Sequence, residues 1–277
     1  MLRILRTGFV MNVKMLTTSG FFLLTSTVQP VIFATIAFYM FKSGGREGTL
    51  LYAALGAGMM GVWSTTLFGS GGMIQWQRWQ GTLELGVGAP PPLVLVYLPF
   101  ALSNSFVGGY SLVATLLWGR LLFAVPLDFA HPWEFLLAVP VTVLSLGLFG
   151  LVLASTFILY RYANALANLL EYPVWIASGL VFSIALLPVW TRPISWLLPP
   201  YWGIQAIRHA ALGGAVWGPI GMAVLLGVVY LGVATSASGK SHEWARSSGT
   251  PKTMRPQTSV AASAYAPVTA FASEKGR

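Results

Sequence analysis

Cysteine is absent from the 277-residue chain, and charged residues make up only 8% of it. The absence of cysteine excludes disulfides, thiolate nucleophiles and metal sites with sulfur ligands. Histidine is scarce as well, and the three copies, His131, His209 and His242, lie far apart in the sequence. That spacing gives no support to a metal site. The only aspartate is Asp128.

Hydrophobic residues make up 56% of the sequence and concentrate in six long runs separated by short polar joints. About 20 apolar residues in helical conformation suffice to cross a bilayer. The runs lack both the polar face of a soluble helix and the alternation of a membrane β-strand. They therefore predict an all-α polytopic membrane protein with six transmembrane helices, over residues 19–41, 50–73, 93–118, 135–160, 163–187 and 215–237.

The two ends of the chain differ in composition from the six-span domain, residues 19–238. Residues 1–18 carry apolar side chains at helical spacing, with Arg3, Arg6 and Lys14 on a neighbouring arc. This pattern predicts an amphipathic helix that lies in the headgroup layer; a solvated, frayed start is the alternative.

Residues 239–277 are rich in Ser, Thr, Ala and Pro without periodicity. This composition predicts a disordered cytoplasmic tail.

The net charge of +9 comes from cations that lie beside the spans and in the tail. Anionic lipid headgroups are the nearer partner for such cations, so nucleic-acid binding is not expected. An even number of crossings places both termini on one side. Seven cations near the spans fall on the side of the termini and five on the other. Because cytoplasmic loops carry an excess of Lys and Arg, this count favours cytoplasmic termini. The seven are Arg3, Arg6, Lys14, Arg78, Arg161, Lys240 and Arg246, and the five are Lys42, Arg46, Arg120, Arg192 and Arg208.

The main polar interruption on the terminus side covers residues 75–92. Trp76, Trp79 and Leu83 share one helical face, and the three consecutive prolines at 90–92 redirect the chain. The pattern predicts a short cytoplasmic helix between the second and third spans. It is either a loop with satisfied contacts or a docking surface for a soluble partner, and composition leaves both open.

Residues 188–214 are too apolar for an ordinary loop and too rich in proline for a span. Pro188, Pro193, Pro199 and Pro200 interrupt this segment. It is predicted to form short helices that dip into the outer leaflet and are buried against protein.

Glu171 is the only residue inside a predicted span that carries a charge at neutral pH. A carboxyl group facing lipid is costly, so Glu171 is expected to face a pathway or a partner. The neighbouring Pro173 removes the helical bond to the carbonyl of Leu169 and opens the helix there. The sequence supports two hypotheses for Glu171: a role in gating or substrate contact, and a structural hydrogen bond between helices.

Two enzyme hypotheses arise from the sequence, and the surrounding residues argue against both. Residues 234–241 nearly match a P-loop, but they follow a span rather than a soluble strand, and Asp128 lies on the opposite side. Ser178 and His209 suggest an intramembrane serine hydrolase. The Ala-Ser-Gly context of Ser178 is instead typical of close helix packing.

Two segments resemble a known family, the membrane subunits of type-2 ABC exporters of drugs, polysaccharides and lipo-oligosaccharides. The first, after the second span, is similar to the family's Gly-Thr-Leu-Glu signature and its trailing proline. The second is similar to its C-terminal pattern of Glu, Pro, Gly, Pro and a late Arg. The matching residues are Arg78, Gly81, Thr82, Leu83, Glu84 and Pro90 in the first, and Glu171, Pro173, Gly179, Pro188, Pro199, Tyr201, Arg208 and Gly213 in the second.

The resemblance implies a permease subunit of the bacterial inner membrane that exports an amphipathic drug, lipid or glycan. ATP and magnesium would bind to a separate cytosolic ATPase, so this chain would hold no cofactor and have no catalytic or metal site. A second copy or paralogue of the permease would complete the path. An ion-coupled secondary transporter or channel is the alternative. Such a protein usually binds its coupling ion with several buried polar groups, and Glu171 is a single one.

The resemblance also implies roles for individual residues. ATPase coupling would fall to the segment after the second span, pathway or gating to Glu171 and Pro173, and the outer half-helices would contain Pro188, Pro199, Tyr201 and Arg208. The coupling residues would be Trp76, Arg78, Trp79, Gly81, Thr82, Leu83 and Glu84.

Overall fold

The computed structural model describes residues 2–43, 50–81, 93–159 and 163–247. Within these ranges every regular element is helical. Nine α-helices are described: α1 Leu2–Thr18, α2 Gly20–Ser43, α3 Leu50–Trp79, α4 Leu93–Phe123, α5 Pro132–Leu159, α6 Ala163–Ala177, α7 Arg192–Leu197, α8 Pro199–Leu212 and α9 Trp217–Ser247.

Four of these helices, α3, α4, α5 and α9, are long and apolar enough to cross a membrane. Within α2, Val28–Ser43 forms a shorter apolar helix. The prediction of a polytopic all-α membrane protein agrees with this architecture. The count of six crossings stays a prediction.

Helix α3 forms the centre of the bundle. It packs against α2, α4, α5, α6 and α8. Of its most apolar 18-residue stretch 89% is buried, against 28% for α9. Helix α3 is therefore enclosed by protein, whereas α9 lies at the periphery and leaves most of its apolar surface open to lipid.

Small residues bring α3 and α4 close together. A methyl group added to Gly58 would lie 2.6 Å from the side chain of Leu112, and one added to Gly61 would lie 2.6 Å from Ser111. The hydroxyl of Ser111 donates to the carbonyl of Gly58 at 3.0 Å. Close backbone approach through glycine and hydroxyl groups is how helices associate where apolar burial provides no driving force between them.

The fifth predicted span is a shorter helix than expected. Residues 163–187 were predicted to be one helix, but α6 ends at Ala177. Gly179 adopts a φ of +69°, which favours glycine, and the amide of Leu180 donates to the carbonyl of Trp175. This glycine-dependent turn ends the helix, as in many helix C-termini.

Helix α3 also differs from the prediction. Trp76 and Trp79 were expected on a separate cytoplasmic helix, but both belong to α3, which continues without a break to Trp79. The turn at Gln80 and Gly81 follows, with Gly81 at a φ of +67°. Gly81 is the last residue described in this turn, and residues 82–92 lie outside the described residues.

Helix α9 ends at Ser247, further along the chain than the predicted span end at residue 237 and past the predicted start of the tail. Residues 248–277 lie outside the described residues.

Residues 178–216, between α6 and α9, are here called the outer segment after their predicted position, and prolines lie at the starts of its short helices. Pro188 precedes a short 3₁₀ turn, Val189–Thr191, and Pro199 begins α8 together with Pro200. Proline suits the first turn of a helix because its missing N–H would have no partner there. Helix α8 packs against α3, α5 and α9. Insertion of this segment into the outer leaflet stays a prediction.

Candidate functional site

The end of α3 presents two exposed indole rings. Trp76 is 56% exposed and Trp79 is 72% exposed. Their ring centroids lie 6.2 Å apart with the edge of one ring towards the face of the other. Paired tryptophans on an open surface can supply much of the binding energy of a protein interface. The docking role that the sequence analysis assigns to this end of α3 stays a prediction.

Arg78, between the two tryptophans in the sequence, forms hydrogen bonds to another helix of the same chain. Its guanidinium donates to the carbonyl of Phe157 at 3.2 Å and to the carbonyl of Ile158 in a shorter bond. These carbonyls lie in the last described turn of α5, and the carbonyls at the end of a helix need partners from outside it. Arg78 thus ties the end of α5 to α3, a contact that the sequence does not predict.

Of the remaining predicted coupling residues, only Gly81 is described. It is exposed and occupies the turn after α3. Thr82, Leu83 and Glu84 lie outside the described residues, so their predicted roles stay predictions.

Glu171 is buried, with 4% of its surface exposed. The hydroxyl of Ser64 on α3 donates to its Oε1 at 2.6 Å. Of the two roles that the sequence leaves open, the hydrogen bond between helices is present in this conformation. The bond joins α6 to the central helix, in a place where a carboxyl group could not face lipid without a large cost.

Pro173 lies two residues after Glu171, and its ring is exposed. Because proline has no N–H, the carbonyl of Leu169 receives no helical bond from this position. Helix α6 nevertheless continues to Ala177. The helix is thus weakened on its open side, immediately after its buried attachment to α3.

Arg208 joins the outer segment to the turn that ends α6. It is 4% exposed. Its Nη1 donates to the carbonyl of Gly179 at 2.7 Å and its Nη2 to that of Leu180 at 3.0 Å. The guanidinium also lies over the ring of Tyr52, 3.4 Å from the centroid. The cation therefore satisfies carbonyls left open at the end of α6 and stacks on a residue of α3.

The approach of Arg208 depends on a glycine in α3. A methyl group added to Gly56 would lie 2.2 Å from the carbonyl oxygen of Leu180 and 2.7 Å from Nη2 of Arg208. Residues of α3, of the turn after α6 and of α8 therefore meet at one point, here called the Arg208 junction: Tyr52, Gly56, Gly179, Leu180 and Arg208.

The other predicted residues of the outer segment have simpler positions. Pro188 is exposed, and Pro199 is buried at the start of α8. Tyr201 packs its ring against Trp202 at 4.8 Å between centroids. None of these three belongs to the Arg208 junction or contacts Glu171 through a described hydrogen bond.

Ser64, Tyr52 and Gly56 are the contributors that sequence reasoning missed. The glycine-rich pattern of α3, with Gly56, Gly58 and Gly61, is a signal for close helix contact. Nothing in the sequence indicates that Ser64 would meet Glu171, because the two are 107 positions apart.

The serine hydrolase hypothesis receives no support. The Ser178 hydroxyl is buried and has no hydrogen-bond partner among the described residues. The ring of His209 instead pairs with the carbonyl of Ala215 at 2.9 Å. A nucleophile needs its base within hydrogen-bonding reach. The described residues also contain no group of three or more His, Asp or Glu side chains that could hold a metal ion.

Comparison with known families gives a match that accounts for most of the chain. The family model described as ABC-2 type transporter, a membrane domain, matches residues 8–212. A search of curated proteins gave no match. The matched region runs from α1 to the end of α8 and includes the Trp76–Trp79 pair, Glu171 and Arg208. The chain therefore belongs to the family of ABC-2 type transporter membrane domains, the permease part of such transporters rather than the ATPase.

Proposed function

We propose that this chain is the permease subunit of an ATP-driven exporter that moves an amphipathic compound out of the cytoplasm. Two permease subunits would form the path, with the termini in the cytoplasm of a bacterial cell. A separate ATPase would bind ATP and magnesium. The family match supports the transporter part of this proposal, and the exposed tryptophan pair is the single observation that supports the ATPase contact.

The surface around Trp76 and Trp79 is proposed to insert into a groove of the ATPase. Both rings are large, rigid and more than half exposed, so their burial on binding would remove much apolar surface from water. Arg78 would act indirectly, because its bonds to the last turn of α5 hold the end of α3 against a second long helix. A movement of the ATPase would then reach α3 and α5 together.

Glu171 and the Arg208 junction are proposed to hold α6 in one of two arrangements. The bond from Ser64 to Glu171 and the bonds from Arg208 to the turn after α6 attach this helix to α3 and α8. ATP binding can favour another arrangement only if the ATPase binds that arrangement more tightly. Pro173 lies between the two attachments, where α6 lacks a backbone bond.

The test is copurification of the ATPase with the tagged permease from its own host. We expect Trp76→Ala/Trp79→Ala to reduce the ATP hydrolysis that copurifies by at least tenfold, since aromatic anchors contribute about 2 kcal/mol or more each. Trp133→Ala/Trp190→Ala is the matched control, because these tryptophans are 81% and 71% exposed and belong to the opposite end of the bundle. Unchanged copurification with the first variant would refute the proposed contact.

A further inference from the structure

Helix α1 uses one face to pack on α4. Asn12, at the centre of this face, is 2% exposed. Its amide donates to the hydroxyl of Ser103 at 2.6 Å and to the side-chain oxygen of Asn104 at 3.1 Å. Phe9 lies 5.6 Å from Phe106 between ring centroids. This polar and aromatic contact fixes the rotation of α1 about its own axis.

The opposite face of α1 carries only positive charge. Arg3, Arg6 and Lys14 are exposed. At 3.6 residues per turn they fall within an arc of about 80°, and Arg3 points about 180° away from Asn12. No acidic residue occurs in α1. The charge of these side chains is therefore not neutralised within the helix.

An apolar edge borders this basic arc. Met11 is 69% exposed and Met15 is 58% exposed. The two are four positions apart and so lie one above the other on the helix surface. Cations beside exposed flexible apolar side chains are the pattern of a helix that binds lipid headgroups while inserting into the acyl region. A soluble anion would use the cations but would leave the methionines in water.

We propose that the face of α1 formed by Arg3, Arg6, Lys14, Met11 and Met15 binds anionic phospholipid. The headgroup phosphates contact the cations, and the acyl chains contact the methionines. This face shares no residue with the proposed path or with the proposed ATPase contact.

Lipid binding at α1 is linked to α3 through Asn12. Asn104, which accepts a hydrogen bond from Asn12, packs directly against Gly69 of α3. A methyl group added to Gly69 would lie 2.5 Å from Cγ of Asn104. Further along α3 are Trp76 and Trp79. Bound lipid that fixes α1 therefore also fixes α4 and the end of α3 through buried contacts.

The binding test uses the absence of cysteine. The exposed Thr7 is changed to cysteine and labelled with a fluorophore, and the permease alone is placed in phosphatidylcholine vesicles. Brominated phosphatidylglycerol is then compared with brominated phosphatidylcholine as a quencher. Each cation near an anionic surface is worth roughly a fivefold change in association. We expect at least a tenfold preference for phosphatidylglycerol, lost in Arg3→Gln/Arg6→Gln/Lys14→Gln.

The control is Lys42→Gln/Arg192→Gln, which removes two exposed cations from the other end of the bundle and should retain the preference. Soluble glycerophosphoglycerol should not compete, because it lacks acyl chains. Equal quenching by both lipids, competition by the soluble headgroup, or equal loss in the control would each overturn the proposal.

The link through Asn12 rests on the proposed function and has its own test. In the complex with its ATPase, phosphatidylglycerol should raise ATP hydrolysis, and Asn12→Ala should remove this increase while keeping the quenching preference. An unchanged increase in Asn12→Ala would refute the link. Because quenching is measured without the ATPase, failure of the ATPase contact leaves the lipid-binding result intact.

Discussion

Replacing Gly56 with alanine should disrupt the Arg208 junction. The added methyl group would lie 2.2 Å from the carbonyl oxygen of Leu180 and 2.7 Å from Nη2 of Arg208. Carbon and oxygen in contact normally stay about 3.3 Å apart or more. The turn after α6 must therefore move away from α3 by about 1 Å, and Arg208 must follow it or lose its bonds.

The size of the effect follows from these contacts. Overpacking in a well-packed interior costs about 1–3 kcal/mol. Hydrogen bonds to a charged donor are worth about 1.5–3 kcal/mol each, and the two from Arg208 to Gly179 and Leu180 would both be strained. Alanine returns about 0.5–1 kcal/mol through its better helix propensity. We expect Gly56→Ala to lower the free energy of unfolding by about 3 kcal/mol.

The assay is reversible unfolding by SDS in mixed micelles, followed by far-ultraviolet circular dichroism. Gly72→Ala is the matched control in the same helix, because a methyl group at Gly72 meets nothing within 4 Å. It should be neutral or stabilising by up to about 1 kcal/mol. If Gly56→Ala unfolds at the same SDS concentration as Gly72→Ala, the close approach of α3 to Leu180 and Arg208 is wrong.

Two further substitutions test the other internal attachments in the same assay. Ser64→Ala should lower the free energy of unfolding by about 1–2 kcal/mol, because it leaves the buried carboxyl of Glu171 without its described donor. Ser64→Thr keeps a hydroxyl and should lower it less. An equal loss in both variants would contradict the role of this hydrogen bond. Arg78→Met should cost about 1 kcal/mol through the open carbonyls of Phe157 and Ile158. It should reduce ATPase copurification less than Trp79→Ala does, and a larger reduction would indicate direct contact instead.

The helices could be predicted from the sequence because the membrane imposes one rule on each segment separately. A backbone in hydrocarbon must satisfy its own polar groups, so a long apolar run such as Pro132–Leu159 has to be helical. Proline positions were equally local signals, and Pro199 begins α8 as expected. The ends of helices were less predictable. Helix α6 ends at Ala177 although apolar residues continue after it. The helix ends there because Gly179 adopts a left-handed conformation, and the spacing of apolar residues does not predict this turn.

The candidate sites were predictable only as single residues. Glu171 stood out from its surroundings by charge and the two tryptophans by size, whereas Arg208 was singled out by the family resemblance. Their partners Ser64, Tyr52 and Asn104 did not, since hydroxyls, amides and aromatic rings are common in membrane helices.

The chain alone determined that it is a helical membrane protein without cysteine chemistry, because composition and the length of apolar runs act locally. The tertiary structure decided which side chains form contacts between helices and which stay exposed on the surface. Arg78 and Glu171 are taken up by α5 and α3, whereas Trp76, Trp79 and the cations of α1 remain on the surface. That division depends on helix contacts between residues up to 156 positions apart, such as Arg208 with Tyr52, and these contacts have no local signature in the sequence.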